Sequence, residues 1–492
     1  MDENARQNAT MMRWRLGSFS MWARSISVSV LFVSAAGLAA ASCGGGEGTC
    51  DAAAVTAELE AAMPGDVVTL PSCRFEAALS VPRGVTLRGT SESVVVGPSD
   101  GPAITLTSDA STASVIEGVH IEGHHTGVRV VGDGEAELRT VVIEVVTGVG
   151  LDVASTGTTH VEGATITGGV TEETRDDSRW LRVTSSDAAT HGVIATAGDL
   201  RIASSTITGF AWLGLALGSG TGSTPSDLDV TVRDTTIGRG LGVGLTSRAE
   251  SLVLDHVTIE DVWTGVRGWP SYCGFIEAGR VDSDALTLTG CDGYGLVQIA
   301  GEAAHDALAI DGTGDVGLWI GASVAATVRG PNAHVRDTAF SAITAVDATS
   351  VTLEDVDIAT VRAVRRTVLV RGAIEIGDGL ELVGSPFTLR NVSIAGAERL
   401  GLLLDASASF SADDLTGVTI TSEGAGLGAI LGTIDRSAED ATLASRPGWD
   451  VGITRSGAAI TNDAAFSGTL PAIVAPGPPS TGDVLGVIAP MY

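Results

Sequence analysis

The chain has 492 residues, a formal net charge of −30 at pH 7, 64 glycines and only 4% aromatic residues. A surface this acidic disfavours binding to nucleic acid and to anionic lipid headgroups, and it repels acidic polysaccharides unless a cation bridges the two. The length allows one large elongated domain, and the shortage of aromatic residues predicts an interior of Val, Ile, Leu and Ala.

The N-terminus carries an export signal. Residues 21–43 read MWARSISVSVLFVSAAGLAAASC, in which a positive residue precedes an apolar stretch and small residues precede a cysteine. The stretch is too short and too rich in alanine for a membrane-spanning helix, so we interpret residues 1–42 as a signal peptide. The sequence Ala40-Ala41-Ser42-Cys43 resembles a bacterial lipobox, which implies lipidation of Cys43. The alternative is an ordinary secretory signal cleaved near Ala41, with Cys43 as a plain thiol.

Residues 43–50 would then be the lipidated cysteine and a flexible tether, because residues 44–49 read GGGEGT. Gly44 stands where some bacterial lipoproteins carry the Asp that retains them in the inner membrane. The resemblance therefore implies an exported protein that a lipid anchor holds in the cell envelope, with the outer membrane as the expected location.

A short repeat occupies most of the chain. Two of its units read SVIEGVHIEGHHTGVRV at 114–130 and LVLDHVTIEDVWTGV at 252–266. Its most consistent apolar position, the core position, falls at Ile121, Ile143, Ile166, Ile207, Ile237, Ile259, Leu288, Ile310, Phe340, Ile358, Ile394 and Ile420. The spacings are 22, 23, 41, 30, 22, 29, 22, 30, 18, 36 and 26 residues. They indicate a unit of about 22 residues, with the interval of 41 interpreted as two units.

Each unit contains short runs in which apolar residues alternate with period two, which is strand periodicity. A unit of this size cannot bury its apolar side alone, so successive units are expected to stack and form a continuous core. We therefore predict an all-β solenoid in which each repeat is one coil.

The repeat resembles the right-handed parallel β-helix of the pectin-lyase-like superfamily. The N-terminal flank strengthens this resemblance, because residues 64–66 read Pro-Gly-Asp and residues 81–89 read VPRGVTLRG. The resemblance implies a β-helix domain of about 16 coils over residues 51–440, with a capping helix over residues 52–63 at the open end of the first coil. Residues 441–492 lose the repeat and contain several prolines, which predicts an irregular C-terminal cap or tail.

Four cysteines besides Cys43 are expected to pair, because export leads to an oxidising compartment. Four cysteines permit three connectivities. We favour Cys50–Cys73 and Cys273–Cys291, whose members are 23 and 18 residues apart, or about one coil. Neighbouring coils are about 4.8 Å apart, which is within the Cα–Cα range of a disulfide.

Three coils exceed the 22-residue unit by seven or eight residues. The extra residues are 218–227, 268–284 and 321–332, and each set is expected to follow the second strand of its coil. Because equivalent positions in stacked coils share one edge, these loops are expected on one flank of the solenoid, where a site would lie. Segment 171–192 is a fourth candidate for that flank.

Aromatic residues recur just before a marker glycine of the repeat. Trp212, Trp263 and Tyr294 share this position and are expected to form a loose column, with Trp269 and Tyr272 nearby in sequence. Flat aromatic rings on a β-helix face can hold sugar rings, so these five residues are the candidate ligand-binding set. The alternative is that each ring covers the apolar core at a bend.

Polar residues form a second column, three positions before the core residue: Thr140, Ser204, Asp234, His256, Asp337, Asp355 and Asn391. Such side chains bond their own backbone in turns, and we interpret them as turn formers. The trio His120, His124 and His125, with Glu117 and Glu122, matches no recognised spacing of metal ligands, so no metal site and no resident cofactor are predicted.

Enzymes of the superfamily carry motifs that are missing here. Residues 254–256 (Leu-Asp-His) echo the W-I-D-H phrase of pectate-lyase-like chains without its Trp, and the R-x-P-x-x-R and R-I-K phrases are absent. The leading hypothesis is a monomeric binding or structural module for extracellular carbohydrate or a surface protein. The alternative is a divergent polysaccharide lyase or glycoside hydrolase, with its site on the loop-bearing flank and Ca²⁺ as a cofactor. A third hypothesis is a purely structural spacer or adhesin.

Overall fold

The computed structural model describes residues 51–123, 125–145, 148–175, 190–218, 225–264, 270–277, 279–368, 372–398, 400–406, 415–421, 425–434, 451–453 and 459–460. The predicted signal peptide, Cys43, the tether and Cys50 lie outside these residues. The described residues are almost entirely β-strand, with one helix at the N-terminal end.

The helix, α1, spans Ala52–Ala61. It begins at Asp51 because that carboxylate accepts hydrogen bonds from two backbone N–H groups of the first turn, at 3.0 and 3.3 Å. Val55 and Leu59 are its buried residues, and the helix packs against the strand Leu79–Val81 of the first coil. The predicted capping helix is therefore confirmed.

Most strands belong to three parallel sheets, A, B and C, which the chain visits in turn. Sheet A contains Val67–Thr69, Thr86–Arg88, Ser114–Glu117, Ala136–Arg139, Thr158–Glu162, Gly198–Ala203, Ser226–Arg233, Ala249–Asp255, Arg280–Asp284, Gly301–Asp306, Val324–Arg329, Ser350–Glu354, Phe387–Arg390 and Leu415–Thr416. Sheet B contains Arg74–Glu76, Val94–Val96, His120–Gly123, Val142–Val145, Thr165–Thr167, Thr206–Thr208, Thr236–Leu241, Thr258–Trp263, Thr287–Cys291, Ala309–Thr313, His334–Thr338, Asp357–Val361, Ser393–Ala397 and Thr419–Thr421.

Sheet C contains Leu79–Val81, Pro102–Ser108, Thr126–Gly132, Gly148–Val153, Thr190–Ala195, Leu213–Leu217, Val243–Ser247, Tyr272–Ile276, Tyr294–Gln298, Val316–Ile320, Ser341–Val346, Asp378–Val383, Leu400–Ala406, Ala425–Ile434 and Val451–Ile453. A short strand, Ala459–Ile460, also pairs with Ala425–Ile434. Strand pairing thus reaches into segment 441–492, which was predicted to be irregular. The predicted parallel β-helix solenoid is confirmed.

The core position is the centre of each sheet B strand, and its side chain is buried. Ile166 pairs directly with Ile207, so the interval of 41 residues is one coil with a long insertion and not two units. Ile310 pairs with Val335 and not with Phe340, which precedes the next sheet C strand. Within the described residues, fourteen coils therefore contribute a strand to all three sheets, in place of about 16.

A column of glycines lies within the first three residues of the sheet C strands and faces the interior: Gly127, Gly150, Gly192, Gly214, Gly244, Gly295, Gly317 and Gly379. Each of these glycines abuts the core residue of the next coil. A Cβ atom at Gly244, for example, would lie 2.6 Å from Cγ2 of Ile259 and 2.7 Å from the carbonyl oxygen of Cys273. Glycine at this position therefore allows sheets B and C to approach each other closely.

Cys273 occupies the glycine column in one coil and forms a disulfide with Cys291, with a Cα–Cα distance of 5.9 Å. Both cysteines are buried. The core residue of the next coil is here Leu288, which lacks the Cγ2 methyl of isoleucine, so the register leaves room for a side chain at Cys273. Cys73 is also disulfide-bonded.

Candidate functional site

The two longest insertions between described strands of the three sheets lie where the chain passes from sheet B to sheet C, which we call the B–C corner. In a compact coil only Gly242 separates the two strands at this corner. Three coils carry insertions there, at residues 168–189, 264–271 and 362–377. The third insertion contains an antiparallel hairpin, Val364–Val368 paired with Gly372–Ile376. Because the coils are stacked, these insertions gather along one edge of a rigid scaffold.

A groove of about 550 Å³ lies at the B–C corner. It extends across five coils, from Thr264 at the start of the second insertion to Arg362 at the start of the third. Its lining consists of Asp261, Trp263, Thr264, Gly290, Cys291, Asp292, Gly312, Thr313, Gly314, Asp337 and Arg362.

The floor of the groove is a row of four residues in the left-handed backbone conformation. Asp261, Gly290, Gly312 and Asp337 have φ angles of 52°, 66°, 69° and 50°, and each lies two residues after the core position of its coil. Aspartate and glycine are among the residues that adopt this conformation most readily. The two glycines leave a floor without side chains between two carboxylates, whose backbone positions are about 14 Å apart at the inter-strand spacing.

Carboxylates from neighbouring coils fix both ends of the groove. Asp292 accepts a hydrogen bond of 2.8 Å from the backbone N–H of Thr264, and Glu398 accepts one of 2.5 Å from Ala363. Nε of Arg362 lies 3.2 Å from Oδ1 of Asp337. The roots of the second and third insertions are thus tied to the solenoid, which fixes the length of the groove.

The lining of the groove is acidic. It contains three carboxylates and one guanidinium, and the guanidinium of Arg362 is already paired with Asp337. Ionised carboxylates accept hydrogen bonds from hydroxyl and ammonium groups but repel anions. The electrostatics of the groove therefore favour a neutral, hydroxyl-rich ligand over an acidic one.

The predicted aromatic column is only partly formed. Tyr272 and Tyr294 are ladder partners whose rings stack at 5.2 Å with an interplanar angle of 16°. Trp212 is 41% exposed, whereas Trp263 and Tyr294 are 7% and 4% exposed. Trp269 lies outside the described residues. Of the four described candidates, only Trp212 offers a substantial open ring face.

Tyr272, one of the two stacked rings, is half-buried. Burial, with a smaller contribution from the charge of Asp315, raises the pKa of Tyr272 to about 12. Its hydroxyl therefore stays protonated at neutral pH and can donate a hydrogen bond.

Trp263 joins the first insertion to the groove. It packs in a small apolar cluster with Val170, Ala211 and Leu241, outside the main core. Cζ of Arg175, in the first insertion, lies 5.2 Å from the ring centroid in a cation–π arrangement. The indole therefore covers a bend, as the alternative interpretation predicted, and it is also part of the groove lining.

The single flank predicted from three long loops is wrong. Segment 218–227 lies between sheet C and sheet A, at another corner. Segment 268–284 consists largely of the strands Tyr272–Ile276 and Arg280–Asp284, and segment 321–332 contains the strand Val324–Arg329. Spacing alone does not distinguish a loop from a strand, and the spacing of 30 residues that ends at Phe340 includes residues beyond the sheet B strand, whose core residue is Val335.

The insertions that share a flank are instead those of the B–C corner. The fourth candidate, segment 171–192, begins at this corner, and its residues 176–189 lie outside the described residues. The hairpin insertion 362–377 was not predicted.

The polar column forms turns, as predicted, with one exception. Thr140, Ser204, Asp234, His256, Asp355 and Asn391 have φ angles between 45° and 58° and lie between sheets A and B. Asp337 belongs to the floor of the groove instead, because the core residue of its coil is Val335 and Asp337 follows it by two positions. In the sequence the four positions of the floor are Asp or Gly, but glycine also stands two residues after the core position in coils outside the groove, so the pattern does not identify the floor.

Of the histidine trio, His124 lies outside the described residues, and no ion pair or hydrogen bond joins His120 to His125. Nε2 of His120 lies 3.7 Å from Oε1 of Glu144, while Glu117 and Glu122 pair with Arg88 and Arg74. Within the described ranges, no three His, Cys, Asp or Glu side chains form a metal-binding arrangement. Among the same residues, no helix is long and apolar enough to cross a membrane.

No protein-family model matches the chain, and no curated protein matches it. Among solved structures, the chain is similar to the Azotobacter vinelandii mannuronan C-5 epimerase AlgE4 A-module. The identity is 12%, the TM-score is 0.26, and the match covers 84% of this chain and 97% of that chain.

Proposed function

We propose that the chain is a binding module that holds a neutral carbohydrate in the groove at the B–C corner. The observation that carries the proposal is the groove itself, whose glycine floor lies between the carboxylates of Asp261 and Asp337. Carboxylates bind sugar hydroxyls through charge-assisted hydrogen bonds, which are stronger than neutral ones. The exposed ring of Trp212 lies at the same corner, where a sugar ring can stack on it.

We expect the substitution Asp261→Asn to weaken glycan binding about tenfold, because hydrogen bonds to charged groups contribute about 1.5–3 kcal/mol. A glycan-array screen of the full chain, with and without Ca²⁺, identifies the ligand, and calorimetry then gives the dissociation constants. The matched control is Asp347→Asn. Asp347 has nearly the same backbone conformation, with φ of 52°, but lies between sheets C and A, away from the groove.

The control variant should bind like the wild-type chain. Equal weakening by both substitutions, or a preference of the wild-type chain for acidic glycans without Ca²⁺, would contradict the proposed site. Wild-type binding to no neutral glycan would contradict the proposed function.

The same carboxylates support a second candidate function, glycoside cleavage, which uses a pair of carboxyl groups. Three carboxylates line the groove, and two of them are engaged in bonds that hold the insertions. Asp292 bonds Thr264, and Asp337 pairs with Arg362. Only Asp261 is left for chemistry, so binding is the first choice. Release of reducing ends from the glycan bound in the array would establish cleavage instead.

We also propose that the chain is exported and anchored in the cell envelope through a lipid on Cys43. The support is the sequence of residues 21–43, with its apolar stretch and the residues Ala-Ala-Ser-Cys. We expect Cys43→Ser to move the protein from the membrane fraction to the soluble extracellular or periplasmic fraction and to abolish labelling with a palmitate analogue. Ser42→Ala is the control, which should leave both unchanged. A membrane-bound, unlabelled wild-type protein would contradict the lipid anchor.

A further inference from the structure

The outer face of sheet B carries a regular array of threonines in five successive coils, which we call the threonine face. One outward column, just before the core residue, consists of Thr165, Thr206, Thr236, Thr258 and Thr287. The other column, just after it, consists of Thr167, Thr208, Gly238, Glu260 and Thr289. Eight of the ten positions are therefore threonine.

The array has two fixed repeats. The five strands pair residue with residue, without a shift of register at these positions. Equivalent threonines on neighbouring strands are therefore about 4.8 Å apart, and the two columns on one strand are about 6.7 Å apart. Threonine is β-branched and has few χ1 rotamers, so hydroxyl and methyl groups keep this spacing.

The eight hydroxyls are open to an external partner. All eight threonines are half-exposed or exposed, and none of their side chains has a hydrogen-bond partner among the described residues. The high β-propensity of threonine explains single residues of this type on an exposed strand. It does not explain why so many hydroxyls are left unpaired at matching positions.

Charges are rare in the two columns. Among their ten positions Glu260 is the one charged residue, and it pairs with the exposed Arg239 of the neighbouring strand. The outward side chains of sheet A in the same five coils include Glu162, Arg201, Arg233 and Arg280. No aromatic residue lies in either threonine column. The two faces are built from the same repeat, so the difference between them is specific to sheet B.

We propose that the threonine face binds ice. A flat grid of hydroxyl and methyl groups can hold water in fixed positions, and its two repeats, along and across the strands, are close to oxygen–oxygen repeats on the surface of hexagonal ice. Exposed charges would impose their own hydration and disturb such a layer, and they are almost absent. A crystalline polysaccharide is disfavoured as the occupant, because no ring is present for sugar to stack on.

The test measures the effect of the purified full-length chain on ice crystals, by thermal hysteresis and by inhibition of recrystallisation. We expect the wild-type chain to shape the crystals and to arrest their growth. The double substitution Thr206→Lys and Thr258→Lys should abolish both effects. The matched control is Thr231→Lys and Thr327→Lys on the outer face of sheet A, which should leave both effects unchanged. Circular dichroism checks that both variants are folded.

Ice growth that is unaffected by the wild-type chain would overturn the proposal, as would full activity of the sheet B variant. Co-sedimentation with cellulose or chitin that is lost in the sheet B variant, without any effect on ice, would assign the face to crystalline polysaccharide instead. Neither outcome bears on the groove, whose residues are unchanged in both variants.

Discussion

Substitution of Gly244 by alanine is expected to destabilise the solenoid by about 2–3 kcal/mol. The added Cβ atom would lie 2.6 Å from Cγ2 of Ile259 and 2.7 Å from the carbonyl oxygen of Cys273. Neither atom can move without displacing a strand of the next coil, since one belongs to a buried side chain and the other to the backbone. Chemical denaturation at pH 7, followed by far-UV circular dichroism, measures the change.

Gly101→Ala is the matched control for this substitution. The nearest atom to a Cβ at Gly101 is Cγ of Pro98, at 3.8 Å, which is an ordinary contact. We expect its stability to change by less than about 0.5 kcal/mol. Equal denaturation midpoints for the two variants would mean that sheets B and C are not in the close contact described here.

Acidification from pH 6.5 to pH 4 is expected to cost about 3 kcal/mol of stability through His305 alone. This side chain is fully buried, and its Nδ1 lies 2.8 Å from Oγ of Ser283. Burial lowers the pKa of His305 to about 4, against a smaller opposing effect of Asp282 and Asp306. Burial also lowers the pKa of His191 to about 4, so a second loss occurs over the same range.

The direction of this pH dependence follows from the different pKa of the histidine in the folded and the unfolded chain. Unfolded histidine binds a proton near pH 6.5, whereas folded His305 binds one only near pH 4. The contribution of His305 to the free energy of unfolding is therefore fully present above pH 6.5 and falls between pH 6.5 and 4. Below pH 4 it no longer changes. Unfolding free energies measured at intervals across this range give the slope.

His305→Gln should reduce the slope between pH 6.5 and 4, and His256→Gln should not. His256 is exposed, and the carboxylate of Asp255 raises its pKa through a hydrogen bond and its charge, which is the opposite direction. The same pH dependence in His305→Gln as in the wild-type chain would mean that this histidine is not buried in its neutral form.

The fold could be predicted from the sequence because the pattern that causes it lies within each repeat. An isoleucine between two outward residues, repeated about every 22 residues, can be buried only if the coils stack. The register failed at one coil, where the valine at 335 is the core residue and Phe340 is a larger apolar residue five positions later. In a single sequence, an apolar residue buried in a turn cannot be told from one buried in a strand.

The candidate site was harder to predict, because its residues are defined by backbone conformation and by neighbours in other coils. The four residues of the floor come from four repeats, and only their shared left-handed conformation marks them as a set. The aromatic residues were a more visible pattern, but burial and exposure depend on the insertions that cover them. Trp263 is covered by Arg175, which lies 88 positions earlier in the sequence.

The disulfide between Cys273 and Cys291 also has a mechanical consequence. Coils of a solenoid contact only their neighbours, so a pulling force detaches them one after another from an end. The cross-link lies beneath the groove, since Cys291 is part of the lining. Two of the coils that carry the groove are therefore joined covalently. Under a pulling force, coils detach from either end only as far as this pair while the disulfide is intact. The coils that would hold a ligand are thus expected to be the last to unfold under force.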